Sequence, residues 1–253
     1  TNKGNGWTMN DTISFGASAE MNNGWVVSTS MMIDSGDMAG TRNIDNRSMT
    51  IDMGDNGSLT FYGSAGSTSL SLMDDTTPTA GEESWDDVSG ATAHAYGGTG
   101  LDTFSYTNSS LMDGVTIGID YIPSDGQTQI ESSIHTTLKY TGIEGLTIGL
   151  GMGEDNGEGP ADADEVTAFN VTYAMDAISV GFSSFEVDTN NSGNSTAGST
   201  HIGDTTLTAM GISYAVSDDL SVSLNTSETE IQGLVDQEAT GVSASLVIGS
   251  MTL

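Results

Sequence analysis

The chain has 253 residues, with four Lys plus Arg against 35 Asp plus Glu, a formal charge of 4 − 35 = −31. That balance excludes non-specific nucleic-acid binding, which needs a basic face to displace counterions, and charge-driven docking onto anionic headgroups. It favours metal cations and cationic solutes as partners, and the absence of cysteine means that stability is built without disulfides.

Alternation is the dominant pattern, read as strands because successive strand side chains point to opposite faces. In chain order the predicted strands are 9–20, 25–34, 46–53, 58–65, 101–108, 115–122, 130–140, 146–152, 165–174, 178–187, 205–215, 220–230, 236–248 and one starting at Met251. Leu146, Ile148, Leu150 and Met152 alternate with Thr and Gly; Leu220, Val222 and Leu224 alternate with Ser. Each segment therefore has one apolar and one polar face. Uninterrupted apolar runs are too short for a membrane helix, and no stretch shows a 3.6-residue period.

Connections alternate in length. The short ones, 21–24, 54–57, 111–114, 141–145, 175–177, 216–219 and 249–250, carry Asn-Gly or Asp-Gly pairs or related turn residues. The long ones, about 35–45, 66–100, 123–129, 153–164, 188–204 and 231–235, are rich in Asp, Glu, Asn, Gly, Ser and Thr. Short on one rim and long on the other is the pattern of an all-β, antiparallel up-and-down barrel that spans a membrane, with its polar face around a water-filled lumen. Tyr140, Tyr173 and Tyr214 each precede a short turn. They read as an aromatic girdle at the membrane interface; the plainer alternative is the general preference of strands for aromatics. Trp25, Phe61, Tyr121, Phe169 and Phe182 are expected towards strand ends.

The stretch Leu101–Tyr121 resembles the hairpin that follows the constriction loop of Gram-negative general porins. Ile212-Ser-Tyr-Ala-Val-Ser-Asp-Asp-Leu-Ser-Val222 resembles their recurring Tyr-Ala-x-Ser hairpin, and Gly57-Ser-Leu-Thr-Phe61 their early glycine-led strand. The turns are most similar to those of porins from marine alphaproteobacteria, of Pelagibacter type. The resemblance implies a sixteen-stranded barrel in a Gram-negative outer membrane, surrounded by membrane lipid and lipopolysaccharide. It also implies a homotrimer that passes small hydrophilic solutes by diffusion. An outer-membrane enzyme is the last-ranked reading, because no catalytic constellation appears, and no cofactor is expected to be required. Fourteen strands are visible against the sixteen that the resemblance implies, so residues 1–253 are expected to form one barrel domain that either lacks terminal strands or closes with fourteen. Thr1 follows neither a charged nor an apolar leader, which reads as a mature or trimmed segment.

The resemblance also implies that 66–100 folds inward as the constriction loop. Its Asp74, Asp75, Glu82, Glu83, Asp86 and Asp87 would then set cation preference, as acidic rings do in pores. Asp74, Asp75, Glu82 and Glu83 could alternatively hold Ca²⁺, and the plainest alternative is a solvated acidic loop. Such porins often set a basic cluster opposite the loop; here the only basic residues are Lys3, Arg42, Arg47 and Lys139. Glu131, His135 and Lys139 share one polar face and are expected on the lumen wall as a salt-bridge cluster. Arg47 shares a face with Met49 and Ile51 and is expected at headgroup level or in a subunit contact. His94, His135 and His201 lack zinc-ligand spacing, and no Gly-x-Ser-x-Gly elbow appears. The rival reading is a calcium-binding surface-layer β protein.

Overall fold

The computed structural model describes residues 12–34, 46–64, 68–73, 76–81, 84, 102–123, 132–156, 163–189, 204–232, 235–249 and 251–252. These form β1 (Thr12–Glu20), β2 (Val26–Asp34), β3 (Asn46–Asp52), β4 (Ser58–Ser64), β5 (Thr103–Met112), β6 (Val115–Ile122) and β7 (Ser133–Ile143). There follow β8 (Leu146–Asn156), β9 (Ala163–Met175), β10 (Ile178–Thr189), β11 (Thr205–Ala215), β12 (Leu220–Ile231), β13 (Gln237–Ile248) and the two-residue β14 (Met251–Thr252). Every strand is antiparallel to its sequence neighbour, and the sheet order runs from β1 to β14 without a crossover. This is the up-and-down barrel topology that alternation and short turns predict. Gly24, Gly114 and Gly145 take the positive φ expected of their turns, and Asp176 does so in place of a glycine.

Several strands are longer than their sequence pattern suggests. β5 continues through an irregularity between Asn108 and Met112, which leaves Asp113–Gly114 as the tight turn. β8, β9 and β10 run on past the alternating apolar stretch. Phe169 and Phe182 consequently lie in the body of β9 and β10 rather than at strand ends.

The ladders fix which side chains share a face. Leu150 is opposite Phe169, Val171 opposite Phe182, Phe182 opposite Met210, and Leu224 opposite Val242. These side chains form the outward apolar band, and its members are far more exposed than core residues are, Val242 at 80%. The upper border of the band is Met152, Phe169, Phe182, Met210, Leu224 and Val242 on β8 to β13. Followed along the ladders, that border descends three rows across five strand steps. At about 3.3 Å per residue and about 4.8 Å per strand, the descent is roughly 20 Å over 24 Å of sheet. A border level with a membrane plane therefore requires strands tilted by about 40°, within the range of membrane barrels.

Above the band the pattern inverts. In β9, β10 and β11 the inward positions become apolar, with Val166, Ala168, Phe185, Val187, Leu207 and Ala209 all buried. The outward positions become polar or acidic. Glu154 is opposite Glu165, Glu165 is opposite Asp188, and Glu228 is opposite Glu238. Like charges in directly opposed pairs oppose pairing, so these strand ends belong in water, beyond the hydrocarbon.

Two measurements check this arrangement. Leu150→Arg, in the band, should lower folding stability in lipid vesicles by about 2–4 kcal/mol. Thr147→Arg, on the opposite face of the same strand, should change it by less than about 1 kcal/mol, and equal losses in urea titrations would overturn the face assignment. In the acidic collar, the Asp188 carboxyl is raised above its ordinary value of 3.8, first by the charge of Asp204 and then by burial and by Glu165 and Glu186. A carboxyl raised in the folded state binds more protons there than in the unfolded chain, so its contribution to stability falls as pH rises through the raised value. Asp188→Asn should therefore be more stable than the parent at neutral pH, with the difference vanishing as pH falls towards the ordinary value.

Candidate pore and its inward loop

The inner wall is built from the polar parity of each strand: Thr116, Gly118 and Asp120 on β6; His135, Thr137 and Lys139 on β7; Asn170 and Thr172 on β9; Ser223, Asn225 and Ser227 on β12. Residues 68–73, 76–81 and 84, part of the connection from β4 to β5, lie against this wall. The Ser69 backbone N–H and hydroxyl both donate to Asp120 Oδ2, at 2.7 and 2.6 Å. Asn170 Nδ2 donates to the Met73 carbonyl at 3.5 Å, and Thr77 Oγ1 lies 3.1 Å from Ser183 Oγ. Asn225 Nδ2 donates to the Pro78 carbonyl at 2.8 Å, the Ala80 N–H donates to Ser223 Oγ at 2.9 Å, and Ser84 Oγ donates to Ser227 Oγ at 3.1 Å. Thr79 Oγ1 sits 3.4 Å from Ser243 Oγ on β13. One loop thus touches walls from β6 to β13.

Apolar contact fastens its near end. Leu70 is fully buried and Met73 nearly so, in one cluster with Val166, Ala168, Phe185, Val187 and Leu207. The wall makes room for the loop by omitting side chains. A Cβ on Gly151 would stand 2.5 Å from Leu70 Cδ1 and 2.7 Å from Met73 Sδ, and one on Gly181 would collide with Pro78 Cδ. Gly181 and Gly211 are direct ladder partners, so the trough continues across two strands.

The residues singled out from the sequence fall into three groups. Asp74, Asp75, Glu82, Glu83, Asp86, Asp87 and Glu131 lie outside the described residues, so the acidic eyelet and its candidate calcium ligands do too. Among the described residues no group of three or more His, Cys, Asp or Glu is arranged to hold a metal ion. His135 and Lys139 both face inward from β7, but in different settings. His135 is fully buried, is the ladder partner of Asp120, and fills the space beside Gly153 under the loop. Lys139 is exposed and lines a recess of about 400 Å³ with Ser69, Leu72, Met73, Thr137 and Asn170.

The third group is on the outside. Tyr140, Tyr173 and Tyr214 all face outward, and each sits one ladder row below the last at every second strand, along the same slope as the apolar border. Arg47 faces outward near the start of β3, where its Nη2 donates to the Gly63 carbonyl at 3.1 Å. Asp120 and the apolar anchor at Leu70 were not singled out from the sequence. The visible signal for Asp120 was an acid on the polar parity of β6; for the anchor it was the change of apolar parity within β9 to β11.

The loop contacts carry a direct expectation. Asp120→Ala removes the acceptor of both Ser69 bonds, and hydrogen bonds to a charged group are worth about 1.5–3 kcal/mol each. Gly181→Val drives a side chain into Pro78. Both variants should fold with unchanged β content, yet release the loop from the wall, which single-channel recording would register as altered conductance with increased current noise. Records identical to those of the parent would show that these contacts do not position the loop.

The sequence profile of the Gram-negative porin family matches residues 1–250. No curated protein sequence matches the chain. Among solved structures, OmpF of Salmonella typhi in complex with daunomycin superposes with a TM-score of 0.69 at 12% identity, covering 95% of this chain and 79% of that one. An anion-selective porin from Comamonas acidovorans gives 0.65 at 13% identity, with 94% and 74% covered. OmpT of Vibrio cholerae in its trimer form gives 0.61 at 14% identity, with 95% and 77% covered. At such identities the superpositions speak for the fold, and the profile speaks for the family. The chain belongs to the Gram-negative porin family, whose members are outer-membrane channels and not enzymes.

Proposed function

We propose that this porin is a passive diffusion pore for small hydrophilic solutes and ions, with a weak preference for cations. The observation that carries the reading is a hydroxyl- and amide-lined inner wall crossed by a loop bonded to it, inside a sheet whose outer face is apolar. Such a wall offers water and polar solutes hydrogen bonds without trapping them. A chain with a formal charge of −31 attracts cations towards the pore mouth. Within the loop, Asp74, Asp75, Glu82 and Glu83, followed by Asp86 and Asp87, supply the selective charge. Tyr140, Tyr173 and Tyr214 act as the aromatic girdle at the interface nearer the short turns. The working unit is a homotrimer, a reading supported by the trimeric form of the Vibrio cholerae relative.

Planar bilayers test the proposal. In a KCl gradient the reversal potential should carry the sign of cation preference at neutral pH; the opposite sign would overturn the charge argument. Neutralising Asp74, Asp75, Glu82 and Glu83 together should weaken the preference. The change should be largest near 10 mM salt, where the screening length is about 30 Å, and small at 1 M, where it is about 3 Å.

A further inference from the structure

Lys139 is the one Lys or Arg among the described inward positions of the sheet. Its direct ladder partners are Thr116 and Gly149, which carry no charge; the inward carboxylate of β6, Asp120, lies two inward positions beyond Thr116 and accepts from Ser69. Above it the loop presents an unlike pair, Leu72, which is 69% exposed, and Met73. Between them lies the recess of about 400 Å³, also lined by Thr116, Thr137, Asn170 and Thr172. That volume falls in the range of small-molecule sites.

We propose that this recess is a solute subsite for short organic carboxylates, with the Lys139 ammonium holding the carboxylate and Leu72 and Met73 covering the apolar tail. The inference rests on the pore reading and names a solute class for it. The chemistry follows from three features. One ammonium matches one negative charge, and a doubly charged anion would meet the field of a chain at −31 with only half its charge balanced. The neighbouring threonine hydroxyls donate to a carboxylate's remaining lone pairs. An exposed leucine facing a water-filled recess gains by covering its surface with an aliphatic tail, which a sugar or an inorganic anion cannot do. In a pore that otherwise disfavours anions, such a subsite lets a metabolic acid pass where chloride is held back.

The probe is butyrate, with acetate and butanol as controls. In planar bilayers bathed in KCl, butyrate should add current noise or brief closures that saturate with concentration, and butanol should not. Lys139→Gln should raise the half-blocking concentration by about tenfold or more, the effect of losing one charge-assisted contact. Lys139→Arg should retain block, and Leu72→Ser should weaken block by butyrate more than block by acetate. Equal block in the parent and in Lys139→Gln overturns the proposal, as does a conducting parent channel that butyrate leaves unchanged. Saturation-transfer NMR of butyrate with the detergent-folded protein reads binding without any current. A failure to conduct therefore counts against the pore reading, and NMR still decides the subsite: transfer lost in Lys139→Gln supports it, and transfer absent or unchanged overturns it.

Discussion

In hydrocarbon a backbone N–H or C=O has no water to bond, and each one left unpaired costs several kcal/mol. The rest of this structure depends on that constraint. It forces every strand to pair along its length with its sequence neighbours, and the chain meets it as an antiparallel meander from β1 to β14. Pairing in turn fixes the period of two. Once one face meets lipid, a slip of one residue would carry every apolar side chain inward. The ladders therefore hold Leu150 against Phe169 and Val171 against Phe182 as strictly as a core would. The tilt of about 40° follows from the same ladders, because the apolar border can be level only if the rows run obliquely to the membrane.

Where lipid ends, that constraint relaxes and a second one takes over. β9, β10 and β11 project beyond the apolar border, and there water wets the outside. The burial that rewards an apolar side chain is now on the inside, beneath the loop. Val166, Phe185, Val187 and Leu207 accordingly point inward, and Leu70 fills the space they enclose. Burying one leucine contributes about 1.5–3 kcal/mol, more than a single hydroxyl–hydroxyl contact in a wet channel, which competes with water. The loop is thus fastened by different means along its length. Its near end has Leu70, Met73 and the paired Ser69–Asp120 bonds at 2.6 and 2.7 Å, while further along Pro78, Ala80 and Ser84 are held by hydrogen bonds of 2.8, 2.9 and 3.1 Å.

The membrane-facing half of the fold was legible in the sequence because a single environment imposes a single rule. Leu146 to Met152 alternate without exception, and Gly24, Gly114 and Gly145 mark turns that need positive φ. The strand ends were less legible because β9 to β11 obey two rules in succession. Phe169 and Phe182 are expected towards strand ends; they mark the border of the lipid instead, because β9 and β10 continue beyond it. The loop's length and position were visible, but not its seat, which depends on non-local absences. Nothing local to Gly181 says that Pro78, more than a hundred residues earlier, occupies the volume its side chain would need. Asp120 likewise looks like any acid on a polar strand face until Ser69 is brought to it.

The division of labour between the two faces also bears on how the pore tolerates sequence change. The outward band needs only apolar bulk, and Met, Ile, Val, Leu and Phe serve interchangeably because lipid conforms to them. The inner wall is held to a stricter standard. Gly151 lacks a side chain because Leu70 lies over it, and Asn225 must reach the Pro78 carbonyl at 2.8 Å. Whole-chain identities of 12–14% accompany the shared fold. The outward band can exchange one apolar residue for another singly, whereas a larger side chain at Gly151 or a shorter one at Asn225 must be matched by a change in the loop that lies over it.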